Sequence, residues 1–332
     1  MRALPKCSVL VTGGAGYIGS HVALALLEAG HAVSVIDNLS SGVRRTVPPS
    51  VLFCEGDVAD RGLVQDLIVE RQISAILHFA GSVVVPESVS DPLKYYRNNT
   101  INSAALIEAA VATRVRHLVF SSSAAVYGIP KDIPVGEDAP ASPVNPYGMS
   151  KLMTEVMLRD VAAAHSLNFC ALRYFNVAGA DPECRAGQST PNATHLIKVA
   201  VEAALGKRAE VVIYGADYNT PDGTGVRDYI HVTDLARAHV AALDKLRRES
   251  DQSFTLNCGY GRGYSVLQVL DAIDRVTGLT VPRRIAPRRP GDPPALVADN
   301  SKLLATLQWK PIYADLHVIV AHALAWERRL AR

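Results

Sequence analysis

No stretch of this 332-residue chain approaches the eighteen or so apolar residues that a helix needs to span a bilayer. A surplus of one charge is also missing. With 34 Lys and Arg against 32 Asp and Glu the formal net charge is +2, which argues against a nucleic-acid or membrane-surface binder and for a small-molecule partner. Cysteine is sparse and patternless. Cys7, Cys54, Cys170, Cys184 and Cys258 are odd in number and form no CxxC or metal-ligand spacing, so neither a disulfide framework nor a metal site is expected. Such thiols are expected to be reduced, in a cytoplasmic protein. The short apolar run in MRALPKCSVLVTGG leads straight into a glycine turn with no cleavage region behind it, and reads as a strand, not an export signal. Internal repeats and low-complexity tracts are not evident.

What is present suits a large buried core: 48% apolar and 20% charged residues, in a chain long enough for one big or two coupled domains. Strand-length runs (CSVLVTGG, HAVSVIDN, VLFCEGD, SAILHFAG, HLVFSSSAAVYG, NFCALRYFN) alternate with helical stretches (IGSHVALALLEAG, GLVQDLIVERQ, NTINSAALIEAAVATR). Strands joined by crossover helices predict right-handed βαβ units and a doubly wound parallel sheet of Rossmann type. Beyond about residue 178 the chain turns polar and rich in Gly and Pro, which predicts a smaller C-terminal α/β domain over the sheet's C-terminal edge. The expected division is 1–178 with 225–250 returning to it, and 179–224 with 251–332.

Two motifs carry chemistry. In VLVTGGAGYIGSH, Gly13, Gly16 and Gly19 lie between a strand and a helix, where glycine permits a tight turn and close approach of backbone to a pyrophosphate. Asp37 ends the next strand, placed to accept hydrogen bonds from the adenine-ribose hydroxyls and to repel a 2′-phosphate, which favours NAD over NADP. Asp57, in GDV, could meet an adenine edge, and Gly81, in HFAG, allows close approach to the cofactor. His78 alone reads as a packed strand histidine. The second motif is SSSAAVYG followed by NPYGMSK. On a helix Tyr147 and Lys151 project from one face, and Ser123, ending a central strand, would point into the same crevice. A tyrosine of ordinary pKa near 10 becomes a base near neutrality only with about 4 kcal/mol of help, which Lys151 and an oxidised nicotinamide ring could supply. Ser123 suits a proton relay.

These blocks, with DNLSSG, PLKYYRNN, LRYFNVAGAD, DGTGVRDYIHVTDLA and RRPGD, make the chain resemble the extended short-chain dehydrogenase/reductase family, within it the UDP-glucose 4-epimerases. The resemblance covers essentially the whole chain. It implies reversible 4-epimerisation of UDP-glucose and UDP-galactose through a 4-keto sugar, with tightly held NAD, Tyr147 as base, Ser123 on the sugar oxygen and Lys151 also on the nicotinamide ribose. It further implies NAD contacts at Tyr17, Ile18, Asp37, Asn38, Leu39, Ser40, Ser41, Gly42, Asp57, Val58, Phe79, Ala80, Gly81, Ser82, Val83, Asn98 and Phe175. Implied UDP-sugar contacts are Asn176, His195, Leu196, Tyr214, Arg227, Val266, Arg289, Asp292 and Leu296, and a homodimer is expected. Paired donors suit the arginines to a diphosphate.

Three positions depart from the family pattern. Val83 stands where many members carry lysine, His195 where some carry asparagine, and Leu296 where a bulky or a small residue decides access of N-acetylated sugars. Acceptance of UDP-N-acetylhexosamines or UDP-pentoses is left open. A related dehydratase or decarboxylase would need a carboxylate just after Ser123, where Ala124 and Ala125 stand. A non-catalytic NAD sensor would not need Tyr147 and Lys151.

Overall fold

Apolar strand-length runs and helix-length stretches alternate through the first half of the chain. The computed structural model, which describes residues 5–190, 193–249, 251–289 and 291–331, shows them folded as that alternation requires. The strands are β1 (Ser8–Thr12), β2 (Ala32–Asp37), β3 (Leu52–Glu55), β4 (Ala75–His78), β5 (His117–Ser123) and β6 (Asn168–Tyr174). The helices are α1 (Tyr17–Glu28), α2 (Arg61–Glu70), α3 (Val85–Ser90), α4 (Pro92–Tyr95), α5 (Asn102–Ala112) and α6 (Pro146–Ala164). Beyond β6 follow β7 (Asn176–Ala178), α7 (Leu196–Ala204), β8 (Val211–Tyr214), β9 (Val226–His231) and α8 (Val232–Arg248). The chain continues through β10 (Phe254–Cys258), β11 (Gly263–Ser265), α9 (Val266–Thr277), β12 (Arg283–Ala286), β13 (Ala295–Leu296), α10 (Ser301–Thr306) and α11 (Leu316–Leu330).

Seven strands form one parallel sheet in the order β10-β6-β5-β4-β1-β2-β3. Because successive strand residues point to opposite faces, Val9 and Val11 pack with Val22 and Leu26 of α1 and with Leu235 and Leu243 of α8. Leu10 packs on the other face with Leu67 of α2, Leu106 of α5 and Leu158 of α6. Each fully buried Leu contributes about 1.5–3 kcal/mol, so both faces hold their helices without polar help. A further core of Ile197, Val201, Ile213, Leu270, Ile273, Ile319 and Val320 joins α7, β8, α9 and α11. It lies beside a small sheet in which β9 pairs with β7, β11 and β13.

One segment differs from the sequence reading. β10 falls within 251–332, yet it pairs with β6, Phe254 opposite Cys170 and Cys258 opposite Tyr174. Helix α8 supplies the physical reason: it covers the same sheet face as α1, and the apolar run after it, FTLNC, can be buried only by extending that sheet. Among the described residues, no helix is long and apolar enough to cross a membrane.

Candidate active site

The strand order reverses between β1 and β4, and the loops leaving these strands open a crevice there. Gly13 takes a φ of +66°, and a Cβ added to it would lie 2.6 Å from the Ala80 nitrogen in the loop after β4. At Gly19 an added Cβ would lie 2.3 Å from the Gly13 carbonyl oxygen. The turn, the first turn of α1 and the β4 loop thus meet backbone to backbone, which only glycine permits. Gly16 caps α1 without a side-chain hydrogen bond, leaving the helix's first N–H groups for an anion. Beside them the Tyr17 hydroxyl donates to the Gly179 carbonyl at 2.7 Å, and Ile18 packs on the core.

Asp37 closes one end of the crevice. Its carboxylate accepts from the Ala15 N–H at 2.9 Å and the Leu39 N–H at 2.8 Å, and retains lone pairs for further donors. Burial pushes its pKa up, and the two N–H groups pull it down. The segment 38–42 curls around it: Leu39 takes a φ of +56°, and the Ser40 N–H donates to the Asn38 side chain. Ser41 and Gly42 complete this loop. Asn38 Nδ2 reaches Asp57 Oδ2 at 2.9 Å, and Val58 is buried in the sheet's core.

The loop after β4 is fixed from both sides. Phe79 packs on the His239 ring with centroids 4.9 Å apart. Ser82 is gripped by two asparagines: Asn98 donates to its hydroxyl at 2.9 Å, while Asn99 accepts from its N–H at 2.7 Å and donates to its carbonyl at 3.0 Å. Asn99 also donates to Ser150 on α6, so it ties this loop to the Tyr147 helix. The sequence reading missed Asn99. Its only signal was the NN pair, and a π-helical turn over Tyr96–Ile101 turns Asn99 inward where a regular helix period gives no such indication. Val83 is half exposed. His78 is the packed strand histidine the sequence suggested, with Thr12 Oγ1 2.7 Å from Nδ1, Ser103 Oγ 2.8 Å from Nε2, and burial lowering its pKa to about 3.

Ser123, Tyr147 and Lys151 meet at the carboxyl end of β5. Asn145 caps α6, accepting from the Gly148 N–H, and Pro146 begins it, so Tyr147 stands in the first turn of the helix; a Cβ added at Gly148 would lie 2.5 Å from the Ala125 carbonyl oxygen, just past the end of β5. Tyr147 and Lys151 are both buried. Burial pushes the Tyr147 phenol above its ordinary pKa, and a hydrogen bond from Ser123 pulls it down. The Lys151 ammonium donates to the Ser121 carbonyl at 2.8 Å and lies 6.0 Å from the Tyr147 ring centroid. A buried ammonium needs an acceptor, and the β5 backbone supplies one. Burial lowers the Lys151 pKa to about 8, with Glu155 opposing. The protein alone therefore raises the phenol pKa, and the help required to form the phenolate exceeds the sequence-based figure.

The residues implied for UDP-sugar fall into two groups. Asn176, His195 and Leu196 border one cavity, with Gln188 Nε2 2.7 Å from His195 Nδ1. An amide nitrogen only donates, so Nδ1 accepts; burial lowers the His195 pKa and keeps the ring neutral. In the other group, Arg289 lies over the Tyr214 ring at 4.6 Å and pairs with Asp292 at 2.9 Å. Asp292 also acts on Arg227, whose strand position pairs with Leu296 in the register of β9 and β13. Leu296 is buried against Phe175, Ala124 and Tyr127, next to the Ser123 turn. Val266 starts α9, its N–H bonded to the Gly225 carbonyl two residues before Arg227. Pro290 of RRPGD lies outside the described residues.

Comparison with known proteins places this geometry. The chain is 56% identical over 322 residues to a UDP-glucose 4-epimerase of Azospirillum brasilense, spanning 97% of this chain and 92% of the relative. Its structure matches a UDP-glucose 4-epimerase from Brucella ovis in complex with NAD, with TM-score 0.93, 45% identity, and 96% and 98% of the two chains covered. It also matches one from Bifidobacterium longum in complex with NAD+ and UDP, with TM-score 0.92, 41% identity, and 97% and 98% covered. The model of the NAD dependent epimerase/dehydratase family matches residues 9–259, the span that runs from the glycine turn through the Tyr147 helix to the last strand of the sheet. The chain belongs to the NAD dependent epimerase/dehydratase family.

Proposed function

We infer that this protein interconverts UDP-glucose and UDP-galactose by reversible 4-epimerisation, with NAD retained as a catalyst. The observation that carries the reading is the meeting of Ser123, Tyr147 and Lys151 at the sheet edge that holds the glycine turn, in a chain matching UDP-glucose 4-epimerases over nearly its whole length. The crevice fits a dinucleotide: Gly13 and Gly19 stand where a Cβ would strike backbone, α1 opens without a side-chain cap, and Asp37 keeps free lone pairs. NAD, when bound, supplies reversible uptake of the sugar's C4 hydrogen together with its electron pair.

The chain's own residues move the proton and hold the sugar. Tyr147, as phenolate, accepts the proton of the C4 hydroxyl, with Ser123 hydrogen-bonded to the same oxygen and relaying it. Lys151 keeps a positive charge near the phenolate, and Asn98 and Asn99 fix the β4 loop beside it. Inversion requires the keto sugar to present its other face while UDP stays anchored. We assign that anchoring to Arg227 and Arg289 on the diphosphate, Tyr214 on the base, and His195 with Leu196 and Asn176 at the neighbouring cavity. The division of labour proposed is a sheet domain for NAD and a smaller unit, built on α7, α9 and α11, for the UDP-sugar.

We propose a homodimer on the face formed by α4, α6 and the π-helical turn. Leu93, Ile101, Met153 and Val156 are exposed there, and Thr100 Oγ1 reaches the Met153 sulfur at 4.0 Å across the two segments. Its free cysteines suit the reducing cytoplasm, where we place it. The experiment is chromatographic: purified protein given UDP-galactose should yield UDP-glucose, and the reverse, approaching one equilibrium ratio from both sides. Failure to convert either sugar contradicts the reading.

A further inference from the structure

Helix α6 carries a third buried titratable side chain one turn beyond Lys151. Glu155 lies on the same face as Tyr147 and Lys151, at the next helical step of four residues. Arg173 of β6 grips its carboxylate with two donors, Nε to Oε1 at 3.0 Å and a terminal nitrogen to Oε2 at 2.6 Å. The pair is nearly sealed, with side-chain exposures of 9% and 8%. Ser122 of β5 donates to the same carboxylate. The remaining arm of Arg173 donates to the Tyr127 hydroxyl at 2.9 Å, which donates to Asn257 Oδ1 of β10 at 2.7 Å.

Tyr127 belongs to the 3-10 turn Ala124–Tyr127 that directly follows Ser123. The Glu155–Arg173 pair is therefore the common anchor of the Ser123 turn and of the helix bearing Tyr147 and Lys151. A buried ion pair of this kind gains little stability over well-packed apolar side chains, so stability alone does not explain it. We infer that Glu155 is a positioning residue for the epimerase reaction, holding Tyr147 and Lys151 in register with Ser123 through Arg173 and supplying the negative charge that keeps Lys151 an ammonium. This rests on the epimerase reading.

The electrostatics agree. Around Lys151 stand His78 of β4, Ser121 and the Phe120 ring of β5, and Tyr147 and Glu155 of its own helix, with Tyr95 of α4 and Tyr174 of β6 acting on Tyr147. His78 is neutral, and burial pushes the Tyr95, Tyr147 and Tyr174 phenols up, so they too are neutral near pH 7. Glu155 is the carboxylate in that set, and it opposes the burial that lowers Lys151.

Two conservative variants test this, each beside wild-type protein. Glu155→Gln keeps the shape and loses the charge. Its kcat should fall about 10-fold or more with KM for the UDP-sugar within about twofold, and the alkaline limb of the kcat profile should move about one pH unit lower. Its NAD content after gel filtration should stay near wild type, while its melting temperature falls because the Arg173 charge is left buried without its partner. Arg173→Lys keeps the Glu155 charge but loses the two-point grip, so kcat should fall while the alkaline limb stays in place. If both variants keep wild-type kcat and pH profile, or if they lose only melting temperature, the inference is overturned. Should Glu155→Gln not fold, Arg173→Lys decides: an unchanged kcat overturns it. A wild-type protein that converts no UDP-sugar defeats the epimerase reading itself, a result distinct from either variant's.

Discussion

Acidification should destabilise this protein well above the pH at which its carboxylates titrate, because four histidines are sealed inside it. His21, His78, His231 and His239 are each at most 3% exposed. Burial is the largest influence on all four, lowering them from 6.5 to about 4, about 3, about 3 and about 4. The unfolded chain therefore binds more protons than the folded one between these values and 6.5, so stability falls as pH drops through that window. At pH 5.5 each histidine removes about 1.4 kcal/mol relative to alkaline solution, about 5–6 kcal/mol for the four. Asp228 works oppositely. Burial raises its pKa from 3.8 to about 6, so the folded state takes up its proton first and regains about 1 kcal/mol by pH 5.5. The net loss is about 4–5 kcal/mol, a large part of the stability of an ordinary domain. For 332 residues the entropy of unfolding is about 0.7 kcal/mol/K, so the melting temperature should fall by about 6 °C between pH 7.5 and 5.5. Circular dichroism melts in matched ionic strength measure this. A shift under about 1 °C would refute the claim that these rings are held neutral by burial.

Three further outcomes follow from the site. Tyr147→Phe should lower turnover by about 10²–10⁴ while NAD remains bound, read by steady-state kinetics and cofactor absorbance; near-normal turnover removes Tyr147 as base. Asp37→Ala should weaken NAD by about 10-fold or more and narrow the preference over NADP, measured by calorimetry on cofactor-stripped protein, because it removes the carboxylate held by Ala15 and Leu39. Replacing Leu93 and Ile101 together with glutamate should leave a monomer on size-exclusion chromatography with light scattering; an unchanged oligomer places the contact elsewhere.

Much of this architecture is legible in the amino-acid order because it is local. The runs of β1 to β6 are continuous and apolar, as strands buried on both faces must be, and the glycine turn needs residues of one type at fixed spacing. The Ser123 and Tyr147 motifs likewise sit at a strand end and a helix start. What was hidden depends on contacts between distant segments. Asn99 faces inward because a π-helical turn shifts the helical period, and nothing in NN says which asparagine does so. The hold of a β5 backbone carbonyl on Lys151 is hidden too, because carbonyls leave no mark in a sequence. β10 joins the main sheet because α8 returns to it, a crossover visible only once both ends are placed. Glu155 and Arg173 lie 18 positions apart, and their pairing follows from packing α6 across β6.

The most direct test of the account uses UDP-galactose carrying deuterium at C4, incubated in ordinary water with purified protein and no added NAD, and followed by NMR. Oxidation and reduction at C4 by a retained cofactor predict UDP-glucose with its deuterium still at C4. Product that has lost the label to solvent, or no product until NAD is added, would contradict it.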